Sequence, residues 1–156
     1  MKGLWAGMLL AGCVFAAQAQ AQTYGAPISL EQAKKVMAAA EAEMKKNNFA
    51  MSIAIVDSGG HLVLLQRSDG SQFIGPEVAI DKAFSAVAYR RPGKAFQDRL
   101  ATGGAELRIL QLRGVAAIDG GDPIVVDGKL IGAIGVSGGS GEQDGQVSKA
   151  GAGALK

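Results

Sequence analysis

Among its 156 residues the chain has one histidine, one cysteine, one tryptophan and four prolines. One histidine cannot build a catalytic zinc site, which usually takes three protein ligands. One cysteine rules out an internal disulfide, a paired-cysteine redox motif, a zinc finger and an iron–sulfur cluster. The net charge is only +2, which gives no case for nucleic acid or an anionic membrane surface. The length leaves no room for a barrel enzyme or a two-domain dehydrogenase, so one domain is expected. What is present is apolar and small. Hydrophobic residues make up 48% against 19% charged, enough to bury a core. Glycine is abundant at 23 residues. With so few prolines, that points to close backbone approaches and tight turns more than to a linker.

Residues 1–21 read as a secretory signal peptide. Met1 and Lys2 give a basic start, Leu4 to Ala17 is apolar throughout, and Ala17-Gln18-Ala19 and Ala19-Gln20-Ala21 are small-x-small cleavage patterns. The run is shorter than the roughly 20 residues of a membrane span. A lipobox-like Leu10-Ala11-Gly12-Cys13 offers a competing reading, a lipoprotein anchored through Cys13. Cleavage after Ala21 would place the protein in the periplasm or outside the cell. It would also remove Trp5 and Cys13, so the mature domain, residues 22–156, would stand on packing or oligomerisation alone.

After a polar lead from Gln22 to Pro27, Ser29 with Gln32 forms a capping box, and apolar spacing predicts a helix to Asn47-Asn48. Ala50 to Val56 and His61 to Arg67 read as strands joined by the turn Asp57-Ser58-Gly59-Gly60. Pro76 opens a helix that runs to about Tyr89. Lys94 to Arg113 reads as one or two short helices split near Thr102-Gly103-Gly104. Val115 to Ile118, Pro123 to Val126 and Leu130 to Val136 read as strands, and Glu142 to Leu155 as a closing helix. Two hairpin-like groups with intervening helices imply an α+β fold, with about five antiparallel strands and helices covering the sheet.

Few residues carry recognisable chemistry. His61 follows a glycine turn and reads either as a solvated hairpin residue or as a haem or metal ligand. The glycine-rich run Ile131 to Gly141 is neither a phosphate-binding loop of the Walker kind nor a dinucleotide fingerprint. It reads as a strand packed closely against a helix or a sister subunit, or as a cradle of amides for a carboxylate. Arg90, Arg91, Lys94 and Arg99 form a basic stretch, either a solvated helix junction or a seat for an acidic ligand group. Serine hydrolysis is disfavoured because His61 is the only possible histidine base.

Five segments in order carry a resemblance. They are Val56-Asp57-Ser58-Gly59-Gly60-His61-Leu62, Arg67-Ser68-Asp69-Gly70, Asp81-Lys82-Ala83-Phe84-Ser85-Ala86, Gly120-Gly121-Asp122-Pro123-Ile124, and Ile131-Gly132-Ala133-Ile134-Gly135-Val136-Ser137-Gly138-Gly139. Together they resemble the GlcG/HbpS family, also called the haem-degrading domain family, which includes the C-terminal domain of PduO-type proteins. The resemblance implies a profilin-like fold, a five-stranded antiparallel sheet with helices on both faces. It implies a homo-oligomer, often an octamer. For an exported member it implies haem binding, linked in some members to haem degradation, or to iron binding and redox sensing beside a sensor kinase.

On that resemblance the expected haem ligands are His61 first, then Met51, then Tyr89, with His61 also the metal candidate. Arg91 and Lys94, or the amides from Gly138 and Gly139 to Gly141, would hold the propionates. Some relatives carry a histidine and acidic cluster near the end of the first helix; here Lys45-Lys46-Asn47-Asn48 supplies no such group. Gly93 follows Pro92 and offers iron no side chain. A module for a small, glycolate-like carboxylate, seated on the glycine loop, is the alternative reading. Oxidative haem degradation would need an electron donor, and the sequence shows no reductase or flavin motif.

Overall fold

The structure is a computed structural model that describes residues 22–155. Residues 1–21, on which the signal-peptide and lipobox expectations fall, lie outside the described residues. Five strands and four α-helices follow: β1 (Thr23–Tyr24), α1 (Leu30–Lys46), β2 (Ser52–Asp57), β3 (Leu62–Arg67), α2 (Gly75–Tyr89), α3 (Gly93–Leu100), β4 (Gly121–Val126), β5 (Lys129–Ser137) and α4 (Gly141–Ala152). A 3-10 segment, Gly104–Gln111, follows α3, and a second, Gly153–Leu155, follows α4.

Local sequence explains most boundaries. Ser29 Oγ accepts from the Gln32 amide at 3.2 Å, and Gln32 Oε1 accepts from the Ser29 amide at 3.0 Å, closing the expected box on α1. Ser140 and Gln143 repeat the device on α4. The β2–β3 turn is tied by Asp57 Oδ1, which accepts from the amides of Gly59 at 2.8 Å and His61 at 2.9 Å. Asp127 and Gly128, at φ 49° and 72°, form the primed turn that joins β4 to β5.

The sheet is ordered β3-β2-β5-β4, antiparallel throughout, with β1 added in parallel beside the start of β5. Helices cover both faces, as expected. Along β5, Ile134 and Val136 join Ile53, Ile55 and the buried side of α1 and α4. Ala133 faces the other way with Val56, against Ala83, Ala86 and Val87 of α2.

Two local expectations are corrected. Val115 to Ile118 is not a strand. Gly114 and Gly120, at φ 70° and 106°, bend the chain at either side of it. The segment instead lies over the start of α3, where a β-carbon on Gly93 would fall 2.1 Å from the Ile118 carbonyl oxygen. The fifth strand comes from the polar lead, and it runs parallel rather than antiparallel. β5 extends past β2, leaving backbone groups at Leu130 and Ile131 that accept from the amides of Gly25 and Ile28, both at 2.8 Å.

Candidate functional site

The chain leaves α2 through Arg90, which stands in the left-handed region at φ 53° and ψ 41°. Arg91 and Pro92 then turn it into α3. This junction, the open edge of β4 and the last turn of α4 enclose a cleft of about 390 Å³. Arg90, Arg91 and Lys149 supply three cations to it, and Pro92, Pro123 and Val125 supply apolar wall. Arg90 is steadied by a 2.9 Å bond to the Gln22 carbonyl and by the Tyr24 ring 5.7 Å away. The Arg91 guanidinium lies 5.4 Å from the Phe96 ring centroid.

Arg91 also lines a second cavity, of about 230 Å³, with Tyr89, Phe96, Ile109 and Leu112 and with Arg99 and Arg108, which both pair with Glu106. Tyr89 and Phe96 meet edge to face at 5.3 Å, and Ile109 is buried. The two cavities share the Arg91 side chain, and the second has aromatic and aliphatic wall between its arginines. A third hollow of about 570 Å³, polar and lined by Lys94, Asp119, Glu142 and Lys149, adjoins the cleft through Lys149.

A carboxyl lies against the cationic cleft. Asp122 is 6% exposed and within reach of the buried Ser148 hydroxyl. Burial pushes its carboxyl above the ordinary aspartate range, and the Ser148 bond and the Lys149 charge offset this only in part. Nearby, Lys82 Nζ and Asp144 Oδ2 form a buried ion pair at 2.7 Å.

The structure brings some of the sequence candidates together and separates others. Tyr89 and Arg91 meet at the second cavity; the Tyr89 hydroxyl donates to the Arg113 carbonyl at 2.7 Å. Lys94 lines the polar hollow and is held by Asp98 at 2.7 Å, which raises its pKa. His61 lines none of these cavities. It stands on the β2–β3 turn with its side chain 84% exposed and Nδ1 3.3 Å from Asp57 Oδ1. Burial pushes the Asp57 carboxyl up, but the His61 and Gly59 amides and the imidazole outweigh it and hold it below its usual range. Met51 is 1% exposed, and a β-carbon on Gly139 would fall 2.8 Å from its Cε.

The glycine loop is not an open cradle. The Gly139 amide donates to Asp144 Oδ1 at 2.9 Å and the Ser140 amide to Gln143 Oε1 at 2.9 Å. The carboxylate seated there is the chain's own. The close-packing reading holds for the strand before it. A β-carbon on Gly132 would meet the Val56 carbonyl at 2.4 Å, and one on Gly135 the Ala79 carbonyl at 2.0 Å.

Val136-Ser137-Gly138-Gly139 reads in isolation as lacking the first glycine of a nucleophile elbow, but Gly135 stands two residues before Ser137 and completes the spacing. Ser137 pairs with Ser52 at one end of β2, whereas Asp57 and the His61 turn lie at the other. Five residues of strand put the only histidine roughly 16 Å away, so it is no base for Ser137. Asp122, Ser148 and Lys149 were missed as site residues. The motif around Asp122 was visible, but its partners lie beyond β5, on α4, with Ser148 26 residues on. Among the described residues no group of three or more His, Cys, Asp or Glu could hold a metal ion, and no helix is long and apolar enough to cross a membrane.

Residues 28–153 match the family described as "Haem degrading protein HbpS-like". Protein GlcG of Escherichia coli strain K12 is 40% identical over 110 residues, covering 70% of this chain and 81% of GlcG. Among solved structures, a double mutant of Streptomyces reticuli HbpS superposes with a TM-score of 0.76 at 31% identity, covering 94% of this chain and 99% of that one. The complex of PduOC with heme superposes with a TM-score of 0.75 at 27% identity, covering 83% and 96%. An extent of 126 matched residues, together with the sheet and helix arrangement above, is decisive: the chain belongs to the HbpS-like haem degrading protein family.

Proposed function

We propose that this chain binds haem across the two cavities that meet at Arg91. One observation carries the reading: Arg91 borders both a chamber walled by Tyr89, Phe96, Ile109 and Leu112, whose other arginines pair with Glu106, and a cleft with two further cations, Arg90 and Lys149. Haem has the same division, an apolar ring with two carboxylates at one edge. Tyr89, Phe96, Ile109 and Leu112 suit the ring edge, and Arg90, Arg91 and Lys149 suit the propionates. A family relative held in a complex with heme supports the reading. Haem would supply iron chemistry; the chain's own groups bind and orient it.

Of the three ligand candidates, only Tyr89 borders these cavities. Tyrosine is a known haem-iron ligand type. Replacing Tyr89 by Phe should therefore alter the Soret band of bound haem, and His61→Ala should leave it as it was. The reverse result would move the iron to the β2–β3 turn.

Hemin titrated into the protein should give a saturable, shifted Soret band at fixed stoichiometry. A charge-assisted contact contributes about 1.5–3 kcal/mol, so Arg91→Ala should weaken binding by roughly 10- to 100-fold. A featureless rise that never saturates would end the reading.

Export and self-association belong to the same proposal. Residues 1–21 support export, and mass spectrometry of the secreted chain should find Gln22 at its N-terminus. Phe73, 82% exposed, and Leu110, 63% exposed, support a homo-oligomer, to be checked by light scattering.

A further inference from the structure

The cationic cleft contains a group that an anionic ligand should avoid. Asp122 on β4 borders it, almost fully buried. The Ser148 hydroxyl stands within hydrogen-bond distance of two oxygens, Asp122 Oδ2 and the Gly145 carbonyl, the latter at 3.2 Å. A hydroxyl has one hydrogen to give. If Asp122 is ionised, both neighbours are acceptors and one contact has no proton. If Asp122 is neutral, its Oδ2–H donates to Ser148 Oγ and Ser148 donates to Gly145. Both contacts are then satisfied.

The surrounding charges are few. Arg90 and Arg91 face the cleft from the end of α2, and Lys149 from α4. Asp119, in the turn before β4, lies 3.4 Å from Lys149. Lys82 and Asp144 pair with each other. Counting Arg90, Arg91, Lys149, Asp119 and Asp122, the ionised cleft nets one positive charge, and loss of the Asp122 charge leaves two.

We propose that Asp122 is the specificity-determining carboxyl of this cleft, and that its neutral form, with the proton directed to Ser148, is the one that admits a ligand carboxylate. Binding of an anionic ligand then takes up one proton. Burial, which already favours the neutral carboxyl, acts in the same direction. The proposal rests on the reading that haem propionates enter this cleft. Once the propionates are ionised, its sign is set. The ligand carboxylate raises the Asp122 pKa further, so affinity falls as pH rises between the two pKa values, by up to about tenfold per pH unit.

The test is a series of hemin titrations from mildly acid to mildly alkaline pH. The wild type should lose affinity as pH rises. Asp122→Asn, neutral throughout, should bind tightly with no slope; Asp122→Ala, a second neutral variant, should also lose the slope. Hemin dimethyl ester, whose propionates carry no charge, should bind without it. Arg91→Ala should bind more weakly yet keep the slope, and so should His61→Ala keep it, because the only histidine lines no part of the cleft. A wild-type slope that persists in both Asp122 variants, with Arg91→Ala still weakened, overturns the role of Asp122 alone. Uptake that saturates at no pH overturns the haem reading and this proposal with it.

Discussion

Lys82→Met should lower folding stability by about 3–5 kcal/mol, the usual result of removing one partner from a buried ion pair. Lys82 is 2% exposed and Asp144 4% by side chain. Lys82 Nζ also donates to the Val136 carbonyl at 3.0 Å, and Asp144 Oδ1 accepts from the Gly139 amide at 2.9 Å. The pair therefore ties α2, the end of β5, the glycine loop and α4 at one point. Methionine keeps most of the side-chain volume, so the loss reports the stranded carboxylate rather than a cavity. For a domain of this size it corresponds to roughly 10–20 °C in melting temperature. The double variant Lys82→Met with Asp144→Leu should recover part of the loss, since no charge is then left buried. A single variant that melts within a few degrees of wild type would show that water reaches Asp144, and the buried-pair account would fail.

Gly135→Ala should cost about 3 kcal/mol or more, at or beyond the upper end of ordinary overpacking. The added carbon would stand 2.0 Å from the Ala79 carbonyl oxygen and 2.6 Å from the Ala83 nitrogen. Both are helix backbone, so no side chain can swing aside and α2 must lift from the sheet. Lifting it opens the cluster of Val56, Ala83, Ala86, Val87 and Ala133. It also displaces Arg90 and Arg91 at the helix end, so hemin affinity should fall with stability. Gly141→Ala is the control. Its β-carbon would meet nothing closer than 3.4 Å, at the far end of Gln97. There the loss of backbone freedom in the unfolded chain should make alanine neutral or stabilising by up to about 1 kcal/mol. Equal melting temperatures for the two variants would refute the close-approach account of Gly135.

Both substitutions bear on where sequence reading succeeds. Gly135 was legible as a close approach, because a glycine inside an apolar strand has few other uses. What it approaches was not legible, since helix and sister subunit predict the same residue. Lys82 was visible only within a segment that carries the family resemblance; nothing local distinguishes a buried lysine from a solvated one. The carboxylate cradle failed for a related reason. Exposed amides at a helix start do attract an anion, but Asp144, five residues on from Gly139, supplies it.

The sequence by itself determined α1 and its capping box, the β2–β3 and β4–β5 hairpins, the break after α2 and the family. The elements rest on periodicity, caps and turns, which act within a few residues, and the family on the resemblance of five segments in order. Tertiary structure alone decided that Thr23–Tyr24 completes the sheet while Val115 to Ile118 does not. It also decided that Asp122 meets Ser148 and that Arg91 stands between two cavities. Those outcomes depend on which backbone edges remain unpaired and on which distant side chains share one volume once the helices have docked.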